Sequence, residues 1–168
     1  MNFAYCQKLT NKTLICLSSA FESFHALSVL RISLKSEKFN TQGFKFFFLS
    51  LKHFKALREL KLCFCGEKNL NNEALKSFSQ ALEGLNYLSV LNLSFFECSN
   101  IADTALDILS LGLKSLKNLR ELVLSFLYCL ALTDEGIENL RSFLKELKSL
   151  FYFELNLSLY LYLSLNHY

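Results

Sequence analysis

The sequence has few of the residues from which catalytic and phosphate-binding sites are built. It has five glycines, with no Gly-rich phosphate loop among them, and its three histidines, His25, His53 and His167, are scattered along the chain. No nucleophile elbow, dinucleotide-binding fingerprint or zinc-protease motif occurs. We therefore expect no enzyme activity, no cofactor and no metal site.

A strong charge and a long hydrophobic run are also lacking. The formal net charge is only +3, and no basic run of five or more residues occurs, which argues against a nucleic-acid partner. The N-terminal residues have no apolar stretch typical of a signal peptide. The most apolar run, 150–165, contains Glu154 and Asn156 and is shorter than the ~20 residues of a membrane helix. These absences favour a cytoplasmic protein that binds neither nucleic acid nor membrane.

Leucine, by contrast, recurs in a fixed frame. The segment Leu119-x-x-Leu122-x-Leu124 alternates as a half-buried strand does. A loop follows, and then apolar residues recur at helical spacing from Ile137 to Leu147. The same frame is repeated at intervals of 30, 31, 31 and 31 residues, with copies starting at Leu27, Leu57, Leu88, Leu119 and Leu150.

A fixed period of this kind predicts a solenoid, in which each unit buries its apolar side against its neighbours. We predict one α/β domain over 1–168, with about 31 residues per repeat, a parallel sheet on the concave side and helices on the convex side. The expected units are a partial repeat without its strand (1–26), repeats at 27–56, 57–87, 88–118 and 119–149, and a terminal strand with a tail (150–168).

Small residues recur at one position of the predicted helices, as expected where helices lie close together. They are Thr13, Gly43, Ala74, Ala105 and Gly136. Asp103 and Asp134 are interpreted as helix caps. In the aromatic run 44–48, Phe46 and Phe48 are additional to the core pattern. They either fill gaps in the core or form an exposed aromatic patch.

The strand motif, loop and helix resemble leucine-rich repeats over nearly the whole chain. The loops at 98–103 (CSNIAD) and 129–134 (CLALTD) resemble those of the cysteine-containing and ribonuclease-inhibitor-like subgroups, and the loop at 6–11 (CQKLTN) fits the same pattern. The other two loops depart from it, since Ser36 and Glu67 stand at the cysteine position.

Three of the six cysteines, Cys6, Cys98 and Cys129, thus occupy one repeat position. Equivalent residues play the same role in adjacent units, which favours small buried packing groups. Cys63-x-Cys65 lacks a second Cys/His pair at zinc spacing. Disulfide bonds and metal binding remain the alternatives to structural thiols.

The predicted concave face carries side chains that the core leaves free to meet a partner. One row contains Val29, Glu59, Val90, Glu121 and Tyr152, and the next contains Arg31, Lys61, Asn92, Val123 and Glu154. The second row changes from basic to acidic along the solenoid, a gradient that would orient a partner of opposite polarity. The alternative interpretation is that these are surface positions without a role in binding, whose residues would vary in the same way. Arg31, Lys61 and Tyr152 are the predicted binding hot spots.

The resemblance implies a non-catalytic module that binds a protein partner through the concave face. One alternative is a targeting or substrate-recognition arm of a larger enzyme, such as a ubiquitin-ligase receptor or a kinase. The strandless first unit favours such a fragment. A second alternative is an enzyme inhibitor of the ribonuclease-inhibitor type, although its concave face would be acidic and this one is mixed.

The terminal segment departs from the repeat. Leucines alternate with polar residues and tyrosines from Leu155 to Leu165, and no loop or helix follows. A long apolar edge strand is prone to pair with other chains. Self-association through this edge, continuation into further sequence and a low-complexity tail are the three interpretations.

Overall fold

Strands and helices alternate in the computed structural model, which describes residues 1–3 and 8–157. The strands are β1 (Asn2–Phe3), β2 (Val29–Leu34), β3 (Glu59–Cys65), β4 (Val90–Phe96), β5 (Glu121–Phe126) and β6 (Tyr152–Leu157). The helices are α1 (Asn11–Phe21), α2 (Thr41–Ser50), α3 (Asn72–Leu82), α4 (Asp103–Leu113) and α5 (Asp134–Leu144), and a 3-10 turn, Leu51–His53, follows α2. None of the described helices is long and apolar enough to cross a membrane.

The strands form one parallel sheet in which each strand pairs with the next one along the chain. Leu60 lies opposite Leu91, which lies opposite Leu122. Paired residues are 30 positions apart between β2 and β3 and 31 positions apart from there to β6. Each helix contacts the helix of the next unit. The result is an open parallel sheet with one layer of helices, as the sequence predicts.

The core lies between the sheet and the helix layer. Alternate residues of β2, β3 and β4 are buried, and together with helix residues they form one continuous cluster. Within it, the rings of Phe64, Phe95 and Phe126 stack along the sheet at centroid distances of 5.7 and 5.4 Å. Such stacking follows from the ~4.8 Å spacing of strands, because equivalent residues of successive units meet directly. Each fully buried Leu or Phe stabilises the fold by about 1.5–3 kcal/mol.

The aromatic run at 44–48 divides between core and surface. Phe48 is fully buried, and its ring lies 4.9 Å from that of Phe78, so it fills a gap between two helices. Phe46 is 48% exposed on the outer side of α2.

The repeat frame makes Phe24 equivalent to Leu147 and so predicts it on the buried helical face, and this prediction is wrong. Phe24 lies in the turn after α1 and is 47% exposed, whereas Phe54 and Leu85 are buried at the equivalent position of later turns. Among the described helices α1 packs against α2 alone, so this turn has less cover than the later ones.

The first unit has a short strand that the leucine pattern does not predict. Asn2 and Phe3 form β1, in parallel register with Ser33 and Leu34. The Met1 amino group donates a hydrogen bond to the Arg31 carbonyl oxygen at 2.7 Å. The prediction that residues 1–26 lack their strand is therefore corrected, since two residues pair at the position where later units have the end of a full strand. The predicted loop containing Cys6 lies outside the described residues.

The helix starts are joined from one unit to the next. Asp103 accepts hydrogen bonds from the Thr133 backbone N–H at 2.9 Å and from the Thr133 hydroxyl at 2.6 Å. The predicted capping role of Asp103 in α4 is therefore wrong, since its carboxylate bonds the residue that precedes α5. The small position serves this contact, because a Cβ on Gly136 would lie 2.2 Å from an Asp103 carboxylate oxygen. Gly43 leaves the same space for Asn11, which binds the Asn40 N–H.

Candidate protein-interaction surface

The helix-free face of the sheet, called the open face below, carries the predicted site residues in the predicted rows. Pairing across β2 to β6 aligns Val29, Glu59, Val90, Glu121 and Tyr152 in one row and Arg31, Lys61, Asn92, Val123 and Glu154 in the next. A third row contains Ser33, Cys63, Ser94, Ser125 and Asn156. The alignment is confirmed, whereas a role of these residues in binding stays a prediction.

The N-terminal end of the open face is a small charge network. The Arg31 guanidinium donates two hydrogen bonds to the Glu59 carboxylate, at 2.6 and 3.1 Å. The Lys61 ammonium lies 3.4 Å from the same carboxylate. The hydrogen bond from Arg31 is the main cause that lowers the pKa of Glu59, and the same contact raises the pKa of Arg31. One carboxylate thus partly neutralises two cations, and the predicted basic end of the gradient is weaker than the second row alone implies.

The C-terminal end is acidic and hydrogen-bonded. The Tyr152 hydroxyl donates to one Glu154 carboxylate oxygen at 2.7 Å, and the Asn156 side-chain N–H donates to the other at 2.8 Å. These two bonds lower the pKa of Glu154, and the bond to Glu154 raises the pKa of Tyr152. The carboxylate is therefore held in place between an aromatic ring and an amide. The Tyr152 side chain remains 46% exposed.

Between the two ends the open face is less charged and shallow. Val90, Asn92 and Val123 are half-buried, so they form a mixed apolar and polar floor. A depression of about 380 Å³ lies near the N-terminal end and is lined by residues that include Met1 and Cys63. The contribution of Met1 was missed from the sequence because no strand was expected there.

The structure offers no metal centre in the described part of the chain, where no three His, Cys, Asp or Glu side chains come together. Cys98 and Cys129 are buried, and the Cys129 thiol points at the Phe95 carbonyl oxygen at 2.8 Å. Burial raises the pKa of Cys98 to about 12 and that of Cys129 to about 11. Both thiols therefore stay protonated and unreactive at neutral pH, as expected of packing groups.

Glu67 occupies the loop position that Cys98 has one unit later, and it is also buried. Its side chain accepts a hydrogen bond from the Ser36 backbone N–H at 2.7 Å, and the Ser36 hydroxyl donates to the Leu9 carbonyl oxygen at 2.6 Å. Ser36 and Glu67 thus join three successive units through polar contacts. Burial raises the pKa of Glu67 to about 7, because this hydrogen bond and the charge of Lys35 only partly offset the desolvation of the carboxylate.

Comparison with known proteins shows what this fold resembles. No protein-family model and no curated protein sequence matches this chain. Among solved structures, the chain is similar to leiomodin-1 actin-binding site 2, with a TM-score of 0.57 and 17% sequence identity. The match covers 87% of this chain and 78% of that chain. At this identity the likeness concerns the fold alone, and the alternating helices and parallel strands are consistent with a leucine-rich-repeat-like solenoid.

The raised pKa of Glu67 predicts a stability that depends on pH. Its ordinary pKa is 4.5, and in the folded chain it is about 7. The folded state therefore favours the protonated acid, and its contribution to stability is complete below pH 4.5 and is lost as the pH rises through 7. We expect the free energy of unfolding to fall by on the order of 2–3 kcal/mol between pH 5 and pH 8.

Urea unfolding followed by circular dichroism at pH 5, 6, 7 and 8 measures this effect. Glu67→Gln should abolish the dependence and should be more stable than the parent chain at pH 8. Glu83→Gln, at an exposed position after α3, is the matched control and should follow the parent. Parallel curves for the parent and Glu67→Gln would show that the buried carboxylate is not the cause.

Proposed function

We propose that this chain is a non-catalytic module that binds a protein partner through the open face. The observation that carries the proposal is the alignment of three rows of side chains across five strands, on the side of the sheet that the core does not use. The strands that carry these side chains are held by backbone pairing, so little backbone conformational entropy is lost when a partner binds.

The chemistry of the open face supports a protein partner. It combines a basic end, a partly apolar centre and an acidic end that carries an exposed tyrosine. Arginine and tyrosine are the residue types most often found at binding hot spots. The charges of opposite sign at the two ends would set the direction of an elongated partner. The name of the similar structure refers to actin binding, which supports a protein partner as a class and does not identify it.

Two other functions remain alternatives. The chain would serve as the targeting or substrate-recognition arm of a larger enzyme if it is one part of a longer protein. An inhibitor of the ribonuclease-inhibitor type is less favoured, because Arg31 and Lys61 interrupt the acidic surface that a basic enzyme would require. The buried thiols at Cys98 and Cys129 support assignment to the cysteine-containing or ribonuclease-inhibitor-like repeats and a reducing, cytoplasmic setting.

Affinity capture with quantitative mass spectrometry tests the open face. Lys61→Ala and Tyr152→Ala alter its two ends, and Lys76→Ala and Leu111→Ala are matched controls exposed on the helix layer. We expect each open-face variant to lose about tenfold in recovery of the same partner, the effect of removing a hot-spot side chain. Circular dichroism confirms that all four variants fold. Loss of the partner with the helix-layer variants alone would contradict the proposal.

We also propose self-association through β6. In a parallel strand, the backbone N–H and C=O groups of one residue point toward one neighbouring strand, and those of the next residue point to the opposite side. Tyr152 donates its N–H to the Arg120 carbonyl oxygen at 2.9 Å, so the backbone groups of Phe153, Leu155 and Leu157 point away from β5. No described strand pairs with that outer edge. The ring of Phe153, at a position that is buried in earlier strands, is 37% exposed.

A twofold axis at Leu155 gives the best antiparallel pairing of two β6 strands. It places Phe153 opposite the partner's Leu157 and Glu154 opposite the partner's Asn156, so apolar residues share one side of the sheet. An axis at Glu154 would instead set two carboxylates against each other. Pairing about Leu155 also uses the whole outward-facing part of the strand.

Light scattering of the full chain over a range of concentrations tests this pairing. Asn156→Asp should weaken the dimer by placing a second negative charge opposite Glu154, whereas Asn156→Lys should retain or strengthen it. Ser94→Asp, in the same row of an interior strand, is the control and should have no effect. A parent chain that stays monomeric would contradict this pairing. So would a dimer whose stability does not depend on the sign of the new charge.

A further inference from the structure

Positive charge is concentrated along one edge of the fold. This helix-to-strand edge consists of the turns that lead from each helix to the next strand, at 22–28, 51–58, 83–89, 114–120 and 145–151. Eight of the 18 lysines and arginines lie there, against three of the 15 acidic residues. The edge therefore carries a formal charge of +5 in a chain whose net charge is +3. All eight basic side chains are exposed, namely Lys52, Lys55, Arg58, Lys114, Lys117, Arg120, Lys145 and Lys148.

Helix stability explains only part of this distribution. Lys114 and Lys145 directly follow α4 and α5, where a positive charge stabilises the helix dipole. Lys117, Arg120 and Lys148 lie further along the turns, beyond the last helical turn in which that effect acts. Their positive charge serves no evident purpose in folding.

A cleft in this edge gathers several of the charges around an apolar floor. It lies between the turns after α4 and α5, has a volume of about 520 Å³ and is lined by Lys114, Leu116, Lys117, Glu146, Leu147, Lys148 and Ser149. The Lys114 ammonium lies 3.3 Å from a Glu146 carboxylate oxygen. Lys117 and Lys148 form no ion pair with any described residue. The cleft therefore presents two uncompensated ammonium groups.

The middle of the edge has a different character. The turn after α3 contains Glu83 and no basic residue, and Tyr87 in it is 59% exposed. This turn separates the basic cluster at 52–58 from the larger one at 114–148. A ligand that follows the edge would thus meet positive charge, an aromatic ring and positive charge again.

We propose that the helix-to-strand edge binds an acidic polypeptide segment, with a carboxylate side chain of that segment between Lys117 and Lys148 in the cleft. The surface is distinct from the open face, so this inference goes beyond the proposed function. A polypeptide fits better than a nucleic acid, because the whole chain has a pI of about 8.5, whereas nucleic-acid-binding domains typically exceed 9. Six of the eight cations are lysines, which act as point charges and not as two-pronged phosphate ligands.

Fluorescence anisotropy with labelled deca-glutamate tests the proposal on the full chain. The edge variant is Lys117→Glu with Lys148→Glu, and the matched control is Lys68→Glu with Lys76→Glu, two exposed lysines elsewhere that change the net charge equally. We expect the edge variant to bind at least about tenfold more weakly at 50 mM salt and the control to stay within about twofold of the parent. Lys117→Gln with Lys148→Gln gives a milder change if the charge-reversed chain fails to fold.

Three results would overturn the proposal. One is a parent chain that does not bind deca-glutamate, and another is an equal loss in the edge and control variants, which would indicate attraction to net charge alone. The third is tighter, edge-dependent binding of a labelled twelve-residue oligothymidine, which would assign the edge to nucleic acid. Lys61→Ala on the open face should leave deca-glutamate binding unchanged.

Discussion

Burial of each unit against its neighbours is the constraint on which the whole structure depends. A single strand and helix of this chain expose an apolar side, which becomes buried only when an equivalent unit lies at the same register next to it. Leu60, Leu91 and Leu122 are fully buried for this reason. The stacked rings of Phe64, Phe95 and Phe126 are buried in the same way. Regular stacking in turn aligns the residues on the opposite side of each strand, so the core creates the rows of the open face.

The same stacking brings polar groups of successive units into contact. Asp103 reaches the start of the next helix because Gly136 leaves room for its carboxylate. In the loops, Ser36 and Glu67 replace the buried thiols of later units with hydrogen bonds. Burial makes the folded state favour protonated Glu67, so one departure from the regular repeat introduces a response of stability to pH below about 7.

The strands, their order and the rows of the open face could be predicted from the sequence, because they depend on one leucine pattern with a constant interval. Contacts that depend on geometry between units could not. The strand Asn2–Phe3 is too short for a periodic signal, and Asp103 resembles an ordinary helix cap until the next unit is placed beside it. The contacts of Arg31 and Lys61 with Glu59 change the predicted charge gradient. A carboxylate of the first row partly neutralises two cations of the second row. The basic edge was missed because its charges are spread over three separate turns and form no continuous run.

Amide hydrogen exchange along the chain tests the central claim of neighbour-dependent burial most directly. Protection should be greatest in β3, β4 and β5, which are flanked by units on both sides, and lower in β6, whose residues are half-buried or exposed. Protection should also rise and fall gradually from unit to unit, as expected where stability is transmitted between neighbours. Equal protection in β6 and the central strands, or strong protection confined to one unit, would contradict this account.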